Sequence, residues 1–336
     1  MRDFDYSVAE RTEDAFAANG AEIFAVAGGT ELLNWMRLGI AAPATLVDIG
    51  RLDGLRAIRH TSDVIEIGAL ATLNEIGGHA AVKEHARVLS QACLAAASPQ
   101  IRNRATIGGN LLQKTRCAYF RAEAPLPWGC NKREPGTGCA AREGLNERHA
   151  IFGWTDQCVA THPSDPAVAL AALDAEVDLH GSDGTRRLPV RDLLLCQEEA
   201  ATFAGDRPEA AATIETRLKP GEVIIRYLVP VTGVRSAYVK VRERASYEYA
   251  LVSAAATIAL EGGRISRATI MLGSVAQKPW PLSAAGIVGL SPERAALLPI
   301  LRQNLAGARP LEHNRYKIAM AAGAAMRALV EAGELP

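Results

Sequence analysis

The chain has 336 residues, with 37 basic and 37 acidic side chains, so its formal charge is zero. That balance excludes a chain-wide basic surface and with it nucleic acid as an expected partner; an apolar share of 49% excludes a disordered chain. The length points to two domains, with three lobes as the upper reading. No apolar run reaches the roughly 18 residues of a membrane span: Ala250–Leu260 is the nearest candidate, and Ser253 and Thr257 interrupt it. The N-terminus, Met1-Arg2-Asp3-Phe4-Asp5, lacks the basic and apolar regions of a signal peptide. The expectation is a cytoplasmic chain, or a periplasmic one exported with a signal-bearing partner.

Along the chain, Glu13–Asn19 reads as a helix with an acidic start and a stop at Asn19-Gly20. Ile23–Ala27 is a buried strand entering a turn at Gly28-Gly29, and Glu31–Leu38 a short amphipathic helix. Leu46–Ile49 and Val64–Ile67 read as strands, Thr72–Ile76 and Val82–Ala97 as helices, the latter stopped by Pro99. A cysteine-rich stretch follows Thr106-Ile107-Gly108-Gly109-Asn110. Regular structure resumes with helix Ala167–Leu173 and strand Glu176–His180, then turns at Ser182-Asp183-Gly184 and Lys219-Pro220-Gly221 and strand Val223–Val229. Beyond about residue 231 the pattern becomes that of an antiparallel sheet, Ala237–Val241, Ala250–Leu260 and Ala268–Leu272, with a hairpin turn at Gly262-Gly263. Two Ala-rich helical segments, from Pro292 onward, complete a C-terminal lobe.

Two of the six cysteines, Cys93 and Cys196, sit in apolar surroundings and read as small buried residues. Cys117, Cys130, Cys139 and Cys158 instead punctuate a Gly-, Pro- and charge-rich stretch without helix or strand periodicity. So long a loop needs a function or an ordering device. Four thiolates on zinc or on an iron–sulfur cluster would order it, as would two disulfides; four unrelated free thiols are the plain alternative, since no C-x-x-C pair is present.

Two glycine turns can admit a phosphate: Val26-Ala27-Gly28-Gly29-Thr30-Glu31 and Ala105-Thr106-Ile107-Gly108-Gly109-Asn110. Asp165, in His162-Pro163-Ser164-Asp165, can accept from ribose hydroxyls. There is no Walker A sequence and no H-E-x-x-H. Gly136-Thr137-Gly138-Cys139-Ala140-Ala141 fits a dinucleotide fingerprint only in letters, because no strand precedes it. Lys240-Val241-Arg242-Glu243-Arg244-Ala245-Ser246-Tyr247 reads either as a solvated strand edge or as a cationic rim over an anionic cofactor.

Taken together, Ala27-Gly28-Gly29-Thr30-Glu31-Leu32-Leu33, Thr106-Ile107-Gly108-Gly109-Asn110-Leu111, Pro163-Ser164-Asp165 and the stretch from Lys240 to Val252 resemble the FAD-binding subunit of the xanthine dehydrogenase/molybdenum hydroxylase family. The loop around Cys117, Cys130-Asn131-Lys132-Arg133, Gly138-Cys139-Ala140-Ala141 and Cys158-Val159-Ala160-Thr161-His162-Pro163 is similar to the branch formed by [4Fe–4S]-containing FAD subunits of bacterial periplasmic aldehyde oxidoreductases. The resemblance implies an α+β chain: a two-part FAD-binding domain of the vanillyl-alcohol-oxidase type over 1–222, with a cysteine-rich insert over 112–160, and a smaller α+β flavoprotein domain over 223–336. It implies Val26, Ala27, Gly28, Gly29, Thr30, Glu31 and Leu32 around the FAD pyrophosphate, and Thr106, Gly109 and Asn110 in a second phosphate-facing loop. Asp165 falls at the ribose or adenine end, Ile224 near the flavin ring, and Lys240 as a basic flavin contact. It turns Cys117, Cys130, Cys139 and Cys158 toward a [4Fe–4S] cluster.

The function so implied is electron transfer, with no general acid or base on this chain. A molybdenum-cofactor large subunit would oxidise an aldehyde, a [2Fe–2S] small subunit would relay electrons, and FAD would hand them to a terminal acceptor: NAD, a quinone, a ferredoxin or oxygen. The substrate is then set by the large subunit, and the cluster serves either as an electron exit or as the insert's folding device. Two rivals stand beside this: a zinc-stabilised assembly scaffold, and a standalone FAD oxidoreductase.

Overall fold

The computed structural model describes residues 2–15 and 22–334. Strands β1 (Asp5–Val8), β2 (Ile23–Val26) and β3 (Thr45–Asp48) form a parallel sheet in the order β1-β3-β2, with helix α1 (Leu32–Arg37) as the crossover from β2 to β3. Leu32 and Met36 of α1 pack on Leu46 of β3. β1 carries no apolar signal because all four of its residues are exposed. Of the helix expected over Glu13–Asn19, Thr12–Ala15 form a 3-10 turn; the remainder, with Asn19-Gly20, lies outside the described residues.

A second lobe is built on an antiparallel sheet of β4 (Ile58–His60), β5 (Val64–Gly68), β6 (Glu176–Gly181), β7 (Gly184–Pro189) and β8 (Val223–Pro230), in the order β4-β5-β8-β6-β7. Against it pack α2 (Leu73–Gly78), α3 (Ala80–His85), α4 (Arg87–Ala95), α5 (Pro99–Arg102) and α6 (Ile107–Leu111). Then come α7 (Ala118–Arg121) in the cysteine-rich insert, α8 (Asp165–Ala172), α9 (Val190–Leu193) and α10 (Gln197–Ala204). The single helix expected over Val82–Ala97 is divided, because Ala86, at φ −136° and ψ 48°, leaves helical space between α3 and α4. α2 opens with a capping box: Thr72 Oγ1 accepts from the Glu75 N–H, and the Glu75 carboxylate accepts from the Thr72 N–H at 2.7 Å.

β8 is hydrogen-bonded to β5 on one edge and to β6 on the other. The division expected at 222/223 therefore falls just ahead of a strand that belongs to the first unit, and the sheet closes only at Pro230. Nothing local marks this, since the strands β8 joins lie far away in sequence.

The C-terminal lobe is an antiparallel sheet of β9 (Arg235–Val241), β10 (Val252–Glu261), β11 (Arg264–Gly273) and β12 (Trp280–Leu282), in the order β12-β11-β10-β9. Gly262 and Gly263, at φ 56° and 77°, turn the β10–β11 hairpin in the left-handed region that a tight two-residue loop requires. α11 (Arg294–Gln303) and α12 (Tyr316–Gly333) cover one face. Successive side chains of a strand point to opposite faces, and in β10 both faces are buried. Ala254, Ala256 and Ile258 join Ala321, Ala325 and Ala328 of α12, while Ala255 joins Tyr238, Met271 and the core of the second lobe. That is why Ala250–Leu260 is so apolar, with only Ser253 and Thr257 interrupting it. Among the described residues no helix is long and apolar enough to cross a membrane.

Thr72→Ala removes the cap and the acceptor for the Glu75 N–H. Its expected cost is about 1 kcal/mol, read as a lower denaturant midpoint at unchanged slope, with Thr72→Ser restoring most of it.

Candidate functional site

A cleft of about 700 Å³ lies between the parallel lobe and the second lobe. Val26, Ala27, Gly28, Gly29, Thr30, Glu31 and Leu32 line one side; Thr106, Gly109, Asn110, Asp165 and Ile224 line the other. The first glycine turn is backbone against backbone: a Cβ at Gly28 would stand 1.9 Å from the Arg104 carbonyl oxygen. Gly29 has φ +72°, which a side chain disfavours. In the second turn Thr106 caps α6 by accepting from the Gly109 N–H. Asn110 Oδ1 accepts from Ser164 Oγ at 2.6 Å, tying this turn to the segment that carries Asp165.

Asp165 is 5% exposed and sits where α8 begins. Its Oδ1 accepts from Tyr238 Oη at 2.6 Å and its Oδ2 from Lys240 Nζ at 2.7 Å. Lys240 Nζ also donates to the carbonyl oxygen of Ala95, the last residue of α4. Lys240 departs from expectation: it does not line the cleft but stands behind Asp165 and fixes it. Each carboxylate oxygen keeps a second lone pair for a hydroxyl donor.

Glu31 is drawn out of the turn. Its carboxylate is paired with Arg121 and, at 2.6 Å, with Arg116, and accepts from Trp35 Nε1. Lys114, Arg116, Glu215 and Tyr249 also line the cleft, and the Arg116 guanidinium lies 4.4 Å from the Tyr249 ring centroid. None of these is marked in the sequence; the available signal is only that Lys114 and Arg116 adjoin Cys117.

Cys117, Cys130, Cys139 and Cys158 line a second, much smaller cavity. All six cysteines are free, and Cys93 and Cys196 are buried elsewhere. The irregular chain around the four is ordered by polar anchors. Asn131 Oδ1 accepts from the Gly136 and Gly138 N–H groups, its amide donates to Gln157, and Arg133 donates to the carbonyls of Phe120, Ala122 and Gly39. Burial pushes the Cys117 thiol up to about 12. A hydrogen bond from Cys139 and, against burial, the Lys132 ammonium bring Cys158 down from the usual thiol range. Among the described residues no group of three or more His, Cys, Asp or Glu is arranged to hold a metal ion.

The two cavities are joined by charge. Glu215 accepts from Lys114 at 2.6 Å on the cleft side and from Lys132 at 2.8 Å on the cysteine side. Burial raises the Glu215 carboxyl, but the two ammoniums outweigh it and hold the group at about 2.

Residues 2–232 match the family model described as the FAD binding domain in molybdopterin dehydrogenase, and residues 237–332 match the CO dehydrogenase flavoprotein C-terminal domain. The aldehyde oxidoreductase FAD-binding subunit PaoB of Escherichia coli K12 is 41% identical over 99% of both chains. The carbon monoxide dehydrogenase medium chain of Afipia carboxidovorans is 28% identical over 88% of this chain and 83% of its own. Quinoline 2-oxidoreductase from Pseudomonas putida 86 shares the fold, with a TM-score of 0.73 over 99% of this chain and 98% of that one at 20% identity. The chain belongs to the FAD-binding subunits of the molybdenum hydroxylase family, a family of oxidoreductases. FAD suits the cleft: a side-chain-free approach at Gly28-Gly29, cations at Lys114 and Arg116, a fixed carboxylate and an apolar wall are the groups an anionic dinucleotide needs.

His162, beside the Asp165 segment, has Nε2 3.0 Å from the Leu111 carbonyl oxygen, so Nε2 carries the proton; Nδ1 accepts from the Ser164 N–H at 3.4 Å. Burial lowers its pKa to about 4, and a second proton would meet the Ser164 donor. The unfolded chain, with a pKa near 6.5, takes up this proton first, so stability is lost as pH falls from about 6.5 toward 4. At pH 5 the expected loss from His162 is about 2 kcal/mol. Denaturant unfolding at pH 7.5 and pH 5 checks this, and His162→Phe should shrink the loss by about that amount, while the buried His149, also lowered to about 4, keeps its own share.

Proposed function

We propose that the chain carries FAD in the cleft and a [4Fe–4S] cluster on Cys117, Cys130, Cys139 and Cys158, as the electron-transfer subunit of a molybdenum-cofactor aldehyde oxidoreductase. In that complex a molybdenum-cofactor large subunit oxidises the aldehyde, a [2Fe–2S] small subunit relays electrons, and this chain passes them to a terminal acceptor. The observation that carries the reading is convergence. Every expected flavin residue but Lys240 faces one cleft, the four insert cysteines face one neighbouring cavity, and Lys114–Glu215–Lys132 links the two.

In this reading the backbone of Ala27–Leu32 meets the pyrophosphate, Thr106–Asn110 the second phosphate-facing side, Asp165 a ribose or adenine donor, and Ile224 the flavin ring. Lys240 and Tyr238 hold the Asp165 carboxylate in place. Bound FAD supplies the exchange between one- and two-electron transfer; the chain's own residues bind, orient and exclude water. Four thiols suit zinc as well as an iron–sulfur cluster. The likeness of the insert to the aldehyde oxidoreductase branch favours the cluster. Export with a signal-bearing partner would place the complex in the periplasm, and fractionation separates that from a cytoplasmic complex.

An anaerobic visible spectrum before and after dithionite, with iron and sulfide assays, tests both cofactors. A flavin spectrum over a broad reducible shoulder with about four irons per chain is expected. Flavin without iron removes the cluster, and a colourless zinc protein overturns the redox reading. Two variants separate the sites. Cys130→Ser should lose the iron and loosen residues 117–158 while keeping FAD. Gly28→Ala, whose new Cβ meets the Arg104 carbonyl, should lose FAD and keep the iron.

A further inference from the structure

Two side chains reach the sulfurs of the cysteine insert, one from outside it and one from within it. Gln277 Nε2 donates to Cys158 Sγ at 3.2 Å, and His149 Nε2 lies 3.2 Å from Cys117 Sγ. Gln277 is 6% exposed and follows β11 of the C-terminal lobe. Its amide orientation is fixed by a second buried amide. Gln197, fully buried as the first residue of α10, donates from Nε2 to the Ala211 carbonyl at 3.1 Å and to Gln277 Oε1 at 2.9 Å. Turning Gln197 over would set its oxygen against the Ala211 carbonyl and Gln277 Oε1, and turning Gln277 over would set its nitrogen against Gln197 Nε2. With Gln277 Oε1 engaged, its N–H group is the one presented to sulfur. His149 Nδ1 is buried without a partner among the described residues. Against a thiolate sulfur, which has no proton to give, Nε2 of His149 must be the donor.

Backbone N–H groups also reach these sulfurs: those of Tyr119 and Phe120 at Cys117, Lys132 and Arg133 at Cys130, and Ala160 at Cys158. They come with the loop itself. His149 belongs to the insert too, but the Gln277 donor does not: it comes from the C-terminal lobe, just after β11.

We propose that Gln277, oriented by Gln197, is a positioning residue that sets the reduction potential of the centre held by the four cysteines, with His149 acting in the same sense on Cys117. This rests on the cluster reading above. Reduction places more negative charge on the ligand sulfurs, and an N–H donor stabilises that charge, so each donor raises the potential. Because Gln277 belongs to the C-terminal lobe and Cys158 to the insert, docking of the two units would itself set the potential.

The test is a redox titration of the purified full-length chain, following the low-temperature paramagnetic signal that Cys130→Ser abolishes, with the flavin followed optically. Gln277→Met keeps the volume and removes the donor. It should retain iron and FAD, shift the cluster's reduced-to-oxidised ratio about tenfold toward oxidised at a fixed ambient potential, about 59 mV for one electron, and leave the flavin midpoint unmoved. Gln197→Leu should move it the same way by less, and His149→Phe the same way through Cys117. Electron–nuclear resonance of the reduced wild-type chain in H₂O and D₂O needs no variant: a strongly coupled exchangeable proton is expected. A loaded Gln277→Met chain with an unmoved potential overturns the proposal, as does the absence of that proton should Gln277→Met fail to fold. A wild-type chain without iron sinks the cluster itself, a separate and recognisable result.

Discussion

A single buried carboxylate, that of Asp165, fixes how the parts of the chain meet. It sits at the start of α8, accepts from Tyr238 and Lys240 on β9, and through Lys240 is tied to the end of α4. Three segments distant in sequence thus share one charge in a place with little water. Breaking such a pair by removing one partner costs about 3–5 kcal/mol, because the remaining charge is left buried and uncompensated. The arrangement is over-determined: if the helix, the strand or the α4 terminus shifts, the others lose their partner. The cleft depends on it, since the same α8 terminus is joined through Ser164 to the second glycine turn.

The same logic is repeated where the insert meets the body. Its irregular backbone buries little regular structure, so its position is fixed by charged groups that cannot be left unpaired. Lys132 finds Glu215 and the Ala212 carbonyl, and Arg121 finds Glu31. Both carboxylates lie on the cleft. Lys317 closes the far side, its ammonium donating to the carbonyls of His149 and Ser274 while burial lowers its pKa to about 7. The cysteine cavity is therefore held by the walls of the cleft on one side and by α12 on the other. Whatever occupies one cavity is electrostatically coupled to the other through Glu215 and its two lysines.

Much of this was legible in the residues, for specific reasons. The glycine turns could be read because a backbone that must approach another at Gly28 excludes every other residue type. The β10–β11 hairpin could be read because Gly262-Gly263 sits between two runs of strand-forming residues. The helices α1, α11 and α12 follow apolar spacing, while α8 is an apolar run buried all round and capped by Ser164. What escaped reading is what depends on pairing at a distance. β1 and β7 have exposed faces and no apolar alternation. β8 joins a sheet whose other strands lie far off in sequence, which moved the division between units. Lys240 was readable as a cation but not as the partner of Asp165, because only the folded chain brings them together. The polar groups around the cysteines, Lys132, His149, Gln277 and Glu215, come from separate regions and carry no shared spacing.

β10 shows why the two units are not independent. Alternate residues of one strand serve separate cores: Ala254 and Ala256 face α12, while Ala255 faces the second lobe. Small side chains are needed on both faces, since a helix packs close on one side and a neighbouring core on the other, and interiors at crystal-like density leave no slack for an added methylene. A displacement of the C-terminal sheet would be felt at once in the core that supports Asp165, through Tyr238 and Met271, and at Cys158, through Gln277. Among the described residues, the C-terminal unit lines the cleft only through the loop of Arg244, Tyr247, Glu248 and Tyr249. Its larger influence is indirect: it supplies the lysine that orients the cleft's carboxylate and the amide that donates to Cys158.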